Sequence, residues 1–119
     1  MSVLVAVPDG PEGAAALAAG AAEAELLGAE LIVLNLSLTP LDPSVLSSDA
    51  KATVIERSGK ADRDPAQAVL DEIQDRPVTR LVIGVKRRSP VGKALLGSVS
   101  QRLLLEAPVP VLAVKLPDG

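Results

Sequence analysis

The stretch "SVLVAVPDGPEGAAALAAGAAEAELLGAELIVLNLS", residues 2–37, decides the fold of this 119-residue chain. Its opening "SVLVAV" is a β-branched run that predicts a buried strand, and "PDGPEG" predicts the turn after it. The Ala-rich "EGAAALAAGAAEAELLG" predicts a helix with Gly28 as its C-terminal stop. The apolar "AELIVLNLS" predicts a second strand, so the stretch has the pattern of a βαβ unit.

The rest of the chain continues this alternation of strands and helices. Three further runs, "ATVIER", "TRLVIG" and "VPVLAVK", predict strands three to five. "DPAQAVLDEIQD" predicts a helix that Asp64 caps and Pro65 begins, because Pro suits the first helical position. "SVSQRLLLEA" predicts a helix that Pro108 ends, and the polar segments 38–51 and 58–63 predict loops.

This order predicts a parallel sheet covered by helices on both faces, within one domain that spans residues 1–119. Right-handed crossovers leave few topologies for such a sheet. Pro110 cannot donate to a ladder, so we expect the fifth strand, residues 109–115, at an edge of the sheet. An apolar edge invites pairing with a second copy, which predicts a homodimer through this C-terminal edge strand.

The composition excludes several classes of chemistry. The chain has no Cys, His, Phe, Tyr or Trp, which excludes disulfides, thiol nucleophiles, ordinary zinc or haem sites and a Ser-His-Asp triad. Without aromatic residues there is no stacking platform for single-stranded nucleic acid, and the formal charge of −3 attracts neither nucleic acid nor acidic membranes. Three Glu residues interrupt the apolar stretch that follows the first turn, and "MSVLVAVPDG" lacks the features of a signal peptide. We therefore expect a soluble cytoplasmic protein with no nucleic-acid or membrane partner.

Candidate binding residues lie where the strands end. In an open parallel sheet, ligands bind beyond the carboxyl ends of the strands, at the position where strand order reverses. Pro8-Asp9-Gly10 follows the first strand, Asn35-Leu36 ends the second, and "GVKRRSPVGKALLGS", residues 84–98, follows the fourth. This last loop is basic, and its Gly97-Ser98 opens a helix whose unpaired N–H groups suit phosphate. The basic residues of the loop are Lys86, Arg87, Arg88 and Lys93.

The same residues have ordinary structural interpretations. A basic loop is often only a solvated turn, Gly-Ser before a helix is often only a cap, and Asp9-Gly10 is also common turn chemistry. A P-loop is excluded, because the glycine before "GKA" is at the wrong spacing and no Ser or Thr follows Lys93. A phospho-accepting receiver domain is excluded, because "VIERSG" supplies no Asp after the third strand.

Two long segments carry a resemblance to a known family. "RLVIGVKRRSPVGKALLGSVSQRLLLEAPVPVLAVK" strongly resembles the C-terminal signature of universal stress proteins. "VLVAVPDGPEGAAALAAGAAEAELLGAELIVLNL" looks like the first strand, helix and second strand of that family. The resemblance implies a three-layer α/β sandwich of the Rossmann-like, adenine nucleotide alpha hydrolase-like type, whose open parallel sheet has five strands in the order 3-2-1-4-5.

The nucleotide-binding branch of this family carries Gly, two residues, Gly, nine residues, then Gly-Ser or Gly-Thr. Gly84 matches the first glycine and Gly97-Ser98 the last pair, whereas Arg87 stands in place of the middle glycine. The resemblance implies bound ATP, with AMP or another adenine nucleotide as the alternative and Mg²⁺ as a candidate companion ion. Arg at the middle position is unfavourable where a positive φ is needed, yet its guanidinium can grip phosphate. The implied binding residues are Val7, Pro8, Asp9, Leu36, Ile83, Gly84, Arg87, Lys93, Gly97, Ser98, Val99 and Ser100.

Three functions follow from these observations. The first is a small universal stress protein-like homodimer that binds ATP or another adenine nucleotide in a stress response or in signalling. No residue is placed as a base for an attacking water, so we expect no catalytic residues and at most weak ATPase activity. The alternative is a dimeric interaction module of the same fold that binds no nucleotide, and Arg87 is its main support. An adenylate-transferring ligase is least favoured, because the chain lacks His and a second acidic cluster.

Overall fold

The computed structural model describes residues 1–8, 10–36, 52–56, 64–85 and 98–115 of the chain. The predicted loops between residues 37 and 63 therefore lie largely outside the described part, as does the basic loop between residues 86 and 97. The strands and helices alternate along the chain as the sequence predicts. They are β1 (Ser2–Val7), α1 (Pro11–Leu27), β2 (Glu30–Asn35), β3 (Ala52–Glu56), α2 (Pro65–Asp75), β4 (Val78–Val85), α3 (Ser98–Glu106) and β5 (Val111–Lys115).

The five strands form one parallel sheet in the order β3-β2-β1-β4-β5. This confirms the predicted architecture and strand order. At the centre, Val7 of β1 lies opposite Asn35 of β2, while Val5 lies opposite Val82 of β4. The chain leaves β1 towards β2 on one side and returns through β4 on the other, so strand order reverses at the carboxyl end of β1.

The fifth strand lies at an edge of the sheet, as predicted, but the proposed role of Pro110 was wrong. The strand begins at Val111, two residues later than predicted, so Pro110 precedes the ladder rather than interrupting it. The Pro110 carbonyl accepts a hydrogen bond of 3.0 Å from the Leu81 backbone N–H. Pro108 and Pro110 both have a fixed φ, which delays regular pairing until the chain has passed them.

Two apolar clusters lie on opposite faces of the sheet, one covered by α2 and α3 and the other by α1. Alternate residues of a strand point to opposite faces, so neighbouring residues divide between the two clusters. Leu4, Ile32 and Leu81 pack with Val69 of α2 and Leu103 of α3 on one face. On the other face, the Ala-rich helix α1 packs with residues that include Val3, Val5, Val33 and Val82.

The helix ends follow the predicted chemistry. Gly28 has a left-handed φ of 63°, and its N–H bonds to the carbonyls of Ala24 and Glu25 at the end of α1. Asp64 caps α2, where its Oδ1 accepts a 2.9 Å hydrogen bond from the Ala66 N–H. Gly10 precedes α1 with a φ of 90°, a value that a residue with a Cβ rarely adopts. Within the described ranges, no helix combines the length and the hydropathy needed to cross a bilayer.

Candidate ligand-binding site

A cavity of about 310 Å³ opens at the carboxyl end of the sheet, beside the first turns of α2 and α3. Its volume is at the lower end of the range for small-molecule sites, which is roughly 300–1,000 Å³. Open parallel sheets bind ligands beyond the carboxyl ends of the strands at which strand order reverses. The cavity lies at such a position, at the ends of β1 and β4. The cavity is lined by Ala6, Pro8, Leu36, Pro65, Ile83, Gly84, Val99, Ser100 and Leu103.

The ends of three strands form the sheet side of the cavity. Ala6 and Ile83 belong to the cluster on the α2 and α3 face, and Leu36 packs against that cluster. The Leu36 N–H donates a 2.9 Å hydrogen bond to the Val7 carbonyl, which holds Leu36 beside the end of β1. The Val7 side chain belongs to the other cluster, below α1. Because successive residues of a strand face opposite sides of the sheet, the two neighbours of Val7, Ala6 and Pro8, line the cavity.

Gly84 lines the cavity, but the space that its missing side chain leaves is filled by α1. A Cβ at this position would lie 2.2 Å from the Glu12 carbonyl oxygen and 3.0 Å from the Glu12 carbonyl carbon. Both contacts are with the backbone of the first turn of α1, which cannot move aside as a flexible side chain can. The close approach of α1 therefore requires glycine here, whatever occupies the cavity.

The helix side of the cavity comes from the first turn of α2 and the first two turns of α3. Pro65 begins α2, and Val99, Ser100 and Leu103 belong to α3. Leu103 is only 1% exposed and anchors α3 in the core. Because α3 begins at Ser98, the N–H groups of its first turn, which have no acceptor within the helix, and the positive end of its dipole lie at the cavity.

The structure brings half of the predicted binding residues to one cavity. Pro8, Leu36, Ile83, Gly84, Val99 and Ser100 line it together, Ser98 begins α3 beside it, and Val7 packs below α1. Four predicted residues, Asp9, Arg87, Lys93 and Gly97, lie outside the described residues.

Three lining residues, Ala6, Pro65 and Leu103, are not among those predicted from the sequence. Two of them carry a local signal, since Ala6 lies two residues before Pro8 on a strand and Leu103 follows Val99 at helical spacing. Pro65 has no such signal. It was predicted as the start of a helix, but it lines the cavity because of the way in which α2 packs onto the sheet.

The lining that the structure describes is apolar apart from the Ser100 hydroxyl and backbone groups, and it includes no charged side chain. Charges lie beside it at the junction of α2 and α3, where Arg102 bonds to Asp64 and Gln67. Among the described residues, no group of three acidic side chains is placed to hold a metal ion. The described part of the cavity thus suits an uncharged, largely apolar group.

Comparison with known proteins places the fold and the sequence in the same group. A family model described as "Universal stress protein family" matches residues 49–115, which is more than half of the chain. A universal stress protein of Mycolicibacterium smegmatis (strain ATCC 700084 / mc(2)155) is 55% identical over 56 residues. That match covers 47% of this chain and 42% of the relative, so the aligned part spans less than half of the relative's length.

Solved structures match over almost the whole chain. The structure of a universal stress protein from Archaeoglobus fulgidus has a TM-score of 0.74 and 25% identity, and the match covers 97% of this chain and 98% of that one. A structure of the universal stress protein from Archaeoglobus fulgidus in complex with dAMP has a TM-score of 0.67 and 18% identity, with the same two coverages.

Proposed function

The chain belongs to the universal stress protein family, and from that premise we propose that it binds an adenine nucleotide in the cavity at the carboxyl end of the sheet. ATP is the first candidate ligand, with AMP or another adenine nucleotide as the alternative and Mg²⁺ as a companion ion. The observation that carries the proposal is the cavity itself, which lies at the reversal of strand order between three strand ends and two helix starts.

The chemistry of the lining supports a base and a sugar in the described part of the cavity. Leu36 and Ile83 offer apolar surface to a planar base, and the Ser100 hydroxyl offers a hydrogen bond at the other side. The start of α3 presents N–H groups and a positive dipole end, which favour a negative group beside it. The structural neighbour from Archaeoglobus fulgidus in complex with dAMP supports the choice of an adenine nucleotide.

The proposal extends to five further predicted residues, of which only Ser98, the first residue of α3, lies in the described part of the chain. Asp9 would flank the adenosine, while Arg87, Lys93, Gly97 and Ser98 would hold the phosphates. The protein would act as a homodimer through β5 in a cytoplasmic stress response or in signalling, with at most weak ATPase activity. In this role the nucleotide is a regulatory ligand and not a substrate, because no described residue is placed as a base for an attacking water.

The test is calorimetric titration of nucleotide-free protein with Mg·ATP, AMP and adenosine. We expect saturable binding of at least one nucleotide. The absence of heat with every one of them, in protein that circular dichroism shows to be folded, would contradict the proposal. That result would favour the alternative, a dimeric interaction module of the same fold that binds no nucleotide.

A pair of tryptophan variants ties the binding to the cavity. Ser100 lines the cavity, whereas its neighbour Gln101 is exposed on the same helix. In Ser100→Trp the indole fills part of the cavity, and we expect nucleotide affinity to fall by roughly tenfold or more. Gln101→Trp is the matched control and should bind as the parent protein does. Because the parent chain has no aromatic residue, each indole also gives a fluorescence signal that reports folding and binding. Equal affinities in the two variants would place the ligand elsewhere.

A further inference from the structure

The two helices that line the cavity are joined at their N-terminal turns by one arginine. Arg102 of α3 bonds through Nη1 to Asp64 Oδ2 at 2.8 Å and through Nη2 to Gln67 Oε1 at 2.5 Å. Its Nε bonds to Glu106 Oε2 at 3.1 Å, one turn further along α3. One guanidinium therefore holds partners on both helices, and the planar arrangement of its N–H groups restricts their relative position.

Asp64 links this cluster to the start of α2. Its Oδ2 accepts the bond from Arg102, while its Oδ1 accepts the capping bond from the Ala66 N–H at 2.9 Å. Pro65, between these two residues, lines the cavity. A shift of Arg102 would therefore move Asp64, and with it the adjoining Pro65 that lines the cavity.

Few apolar side chains of α3 pack against the core. Leu103 is the one residue of α3 that is fully buried among those whose side chains the structure describes. Leu104 and Leu105 of the same helix are 38% and 77% exposed. Val99 also packs against the core but is only partly buried, so the polar contacts of Arg102 add to the few apolar contacts that hold the tilt of α3.

We propose that Arg102 is a positioning residue of the binding site, which sets the spacing between the first turns of α2 and α3 and thereby the width of the cavity. The inference rests on the proposed nucleotide binding and adds a determinant of affinity that lies outside the lining. Arg102 is about one-third exposed, so its ion pair is of the weak, salt-sensitive kind. It therefore adjusts the cavity without controlling whether the chain folds.

Neutral adenosine is the probe that separates positioning from direct contact with phosphate. In Arg102→Met we expect the affinity for adenosine and for ATP to fall by the same factor, about fivefold at low salt. Arg76→Met is the matched control, because Arg76 also pairs with a carboxylate four residues away on α2, at the end of the helix away from the cavity. Its affinities should equal those of the parent protein.

The salt dependence of binding and three further variants distinguish the positioning role from a general loss of stability. Adenosine carries no charge, yet its affinity for the parent protein should fall as NaCl is added, and in Arg102→Met this dependence should disappear. Asp64→Ser keeps a capping residue but removes the ion pair, so it should weaken adenosine binding as Arg102→Met does. The double variant should bind no more weakly than the worse single variant, and Arg102→Lys should recover part of the affinity.

Three results would overturn the inference while leaving the proposed function intact. They are unchanged affinity for both adenosine and ATP in Arg102→Met, a loss confined to ATP, which would indicate direct contact with phosphate, and additive losses in the double variant. Absence of adenosine and ATP binding to the parent protein would instead overturn the proposed function, and this inference with it.

Discussion

At the scale of single residues, two glycines let the first turn of α1 enter between the ends of two strands. A Cβ on Gly13 would lie 2.0 Å from the Pro8 carbonyl oxygen, and a Cβ on Gly84 would lie 2.2 Å from the Glu12 carbonyl oxygen. Each contact joins a glycine to a backbone atom across the junction of β1, α1 and β4. The resemblance implies that Gly84 is a nucleotide-binding residue, whereas the geometry gives it a packing requirement that holds without ligand.

This requirement predicts that Gly84→Ala lowers stability. The new methyl group would meet backbone rather than a flexible side chain, so we expect the free energy of unfolding to fall by about 3 kcal/mol. Chemical denaturation followed by circular dichroism measures the change. Gly28→Ala is the comparison, because its Cβ would meet nothing within 4 Å and the cost of about 1–2 kcal/mol would come from a φ of 63° alone. A Gly84→Ala variant with unchanged stability and weakened nucleotide binding would contradict the packing explanation.

At the scale of whole elements, local chemistry predicts the helix ends but not how closely a helix approaches the sheet. The cap at Asp64 and the stop at Gly28 can be predicted from the sequence, because each depends on residues within one turn. The small residues of α1 predict a helix, but they do not predict how closely it packs. A Cβ on Gly20 would lie 2.9 Å from the Val5 Cβ. That distance depends on the packing of α1 against β1, which a local pattern does not contain.

The close approach of α1 reverses the sign that helix propensity predicts for Gly20→Ala. Propensity alone would stabilise the helix by about 1 kcal/mol, whereas the contact with Val5 forces α1 away from the sheet. We expect a net loss of about 1 kcal/mol in the free energy of unfolding. Ala18→Gly, on the exposed face of the same helix, measures the propensity term without the contact. Stabilisation by Gly20→Ala would show that α1 does not pack as closely as described.

At the scale of the molecule, the sequence predicts the sheet well and the binding cavity only in part. Apolar runs and helix signals predict all five strands and three helices, with errors of one to two residues at most ends. Strand ends also predict the end of the sheet at which the cavity opens. Which side chains line the cavity depends on contacts between residues that are far apart in the sequence. Pro65 reaches the cavity through the packing of α2 onto the sheet, and Val7 is turned below α1 by strand alternation.

The open edge at β5 carries the proposal of a homodimer. It lies at one end of the strand order, so its outer backbone groups have no partner strand within the described sheet. Leu112, the second residue of β5, is 38% exposed although its neighbours Val111 and Ala113 pack against the core. A second copy related by a two-fold axis would pair with the same edge, so each residue of the interface would occur twice.

A charge at Leu112 should therefore weaken the dimer without unfolding the chain. In Leu112→Lys, each dimer would bury two ammonium groups against apolar surface, and we expect the dimer dissociation constant to rise roughly tenfold or more. The single chain should tolerate the change, because position 112 is already partly exposed. Light scattering over a concentration series measures the shift towards the mass of one chain. Leu26→Lys is the matched control, since Leu26 is 78% exposed on α1 and its variant should keep the parent's mass. If Leu112→Lys and Leu26→Lys had the same mass as the parent at every concentration, the protein would not pair through β5, and its open edge would have to be protected in another way.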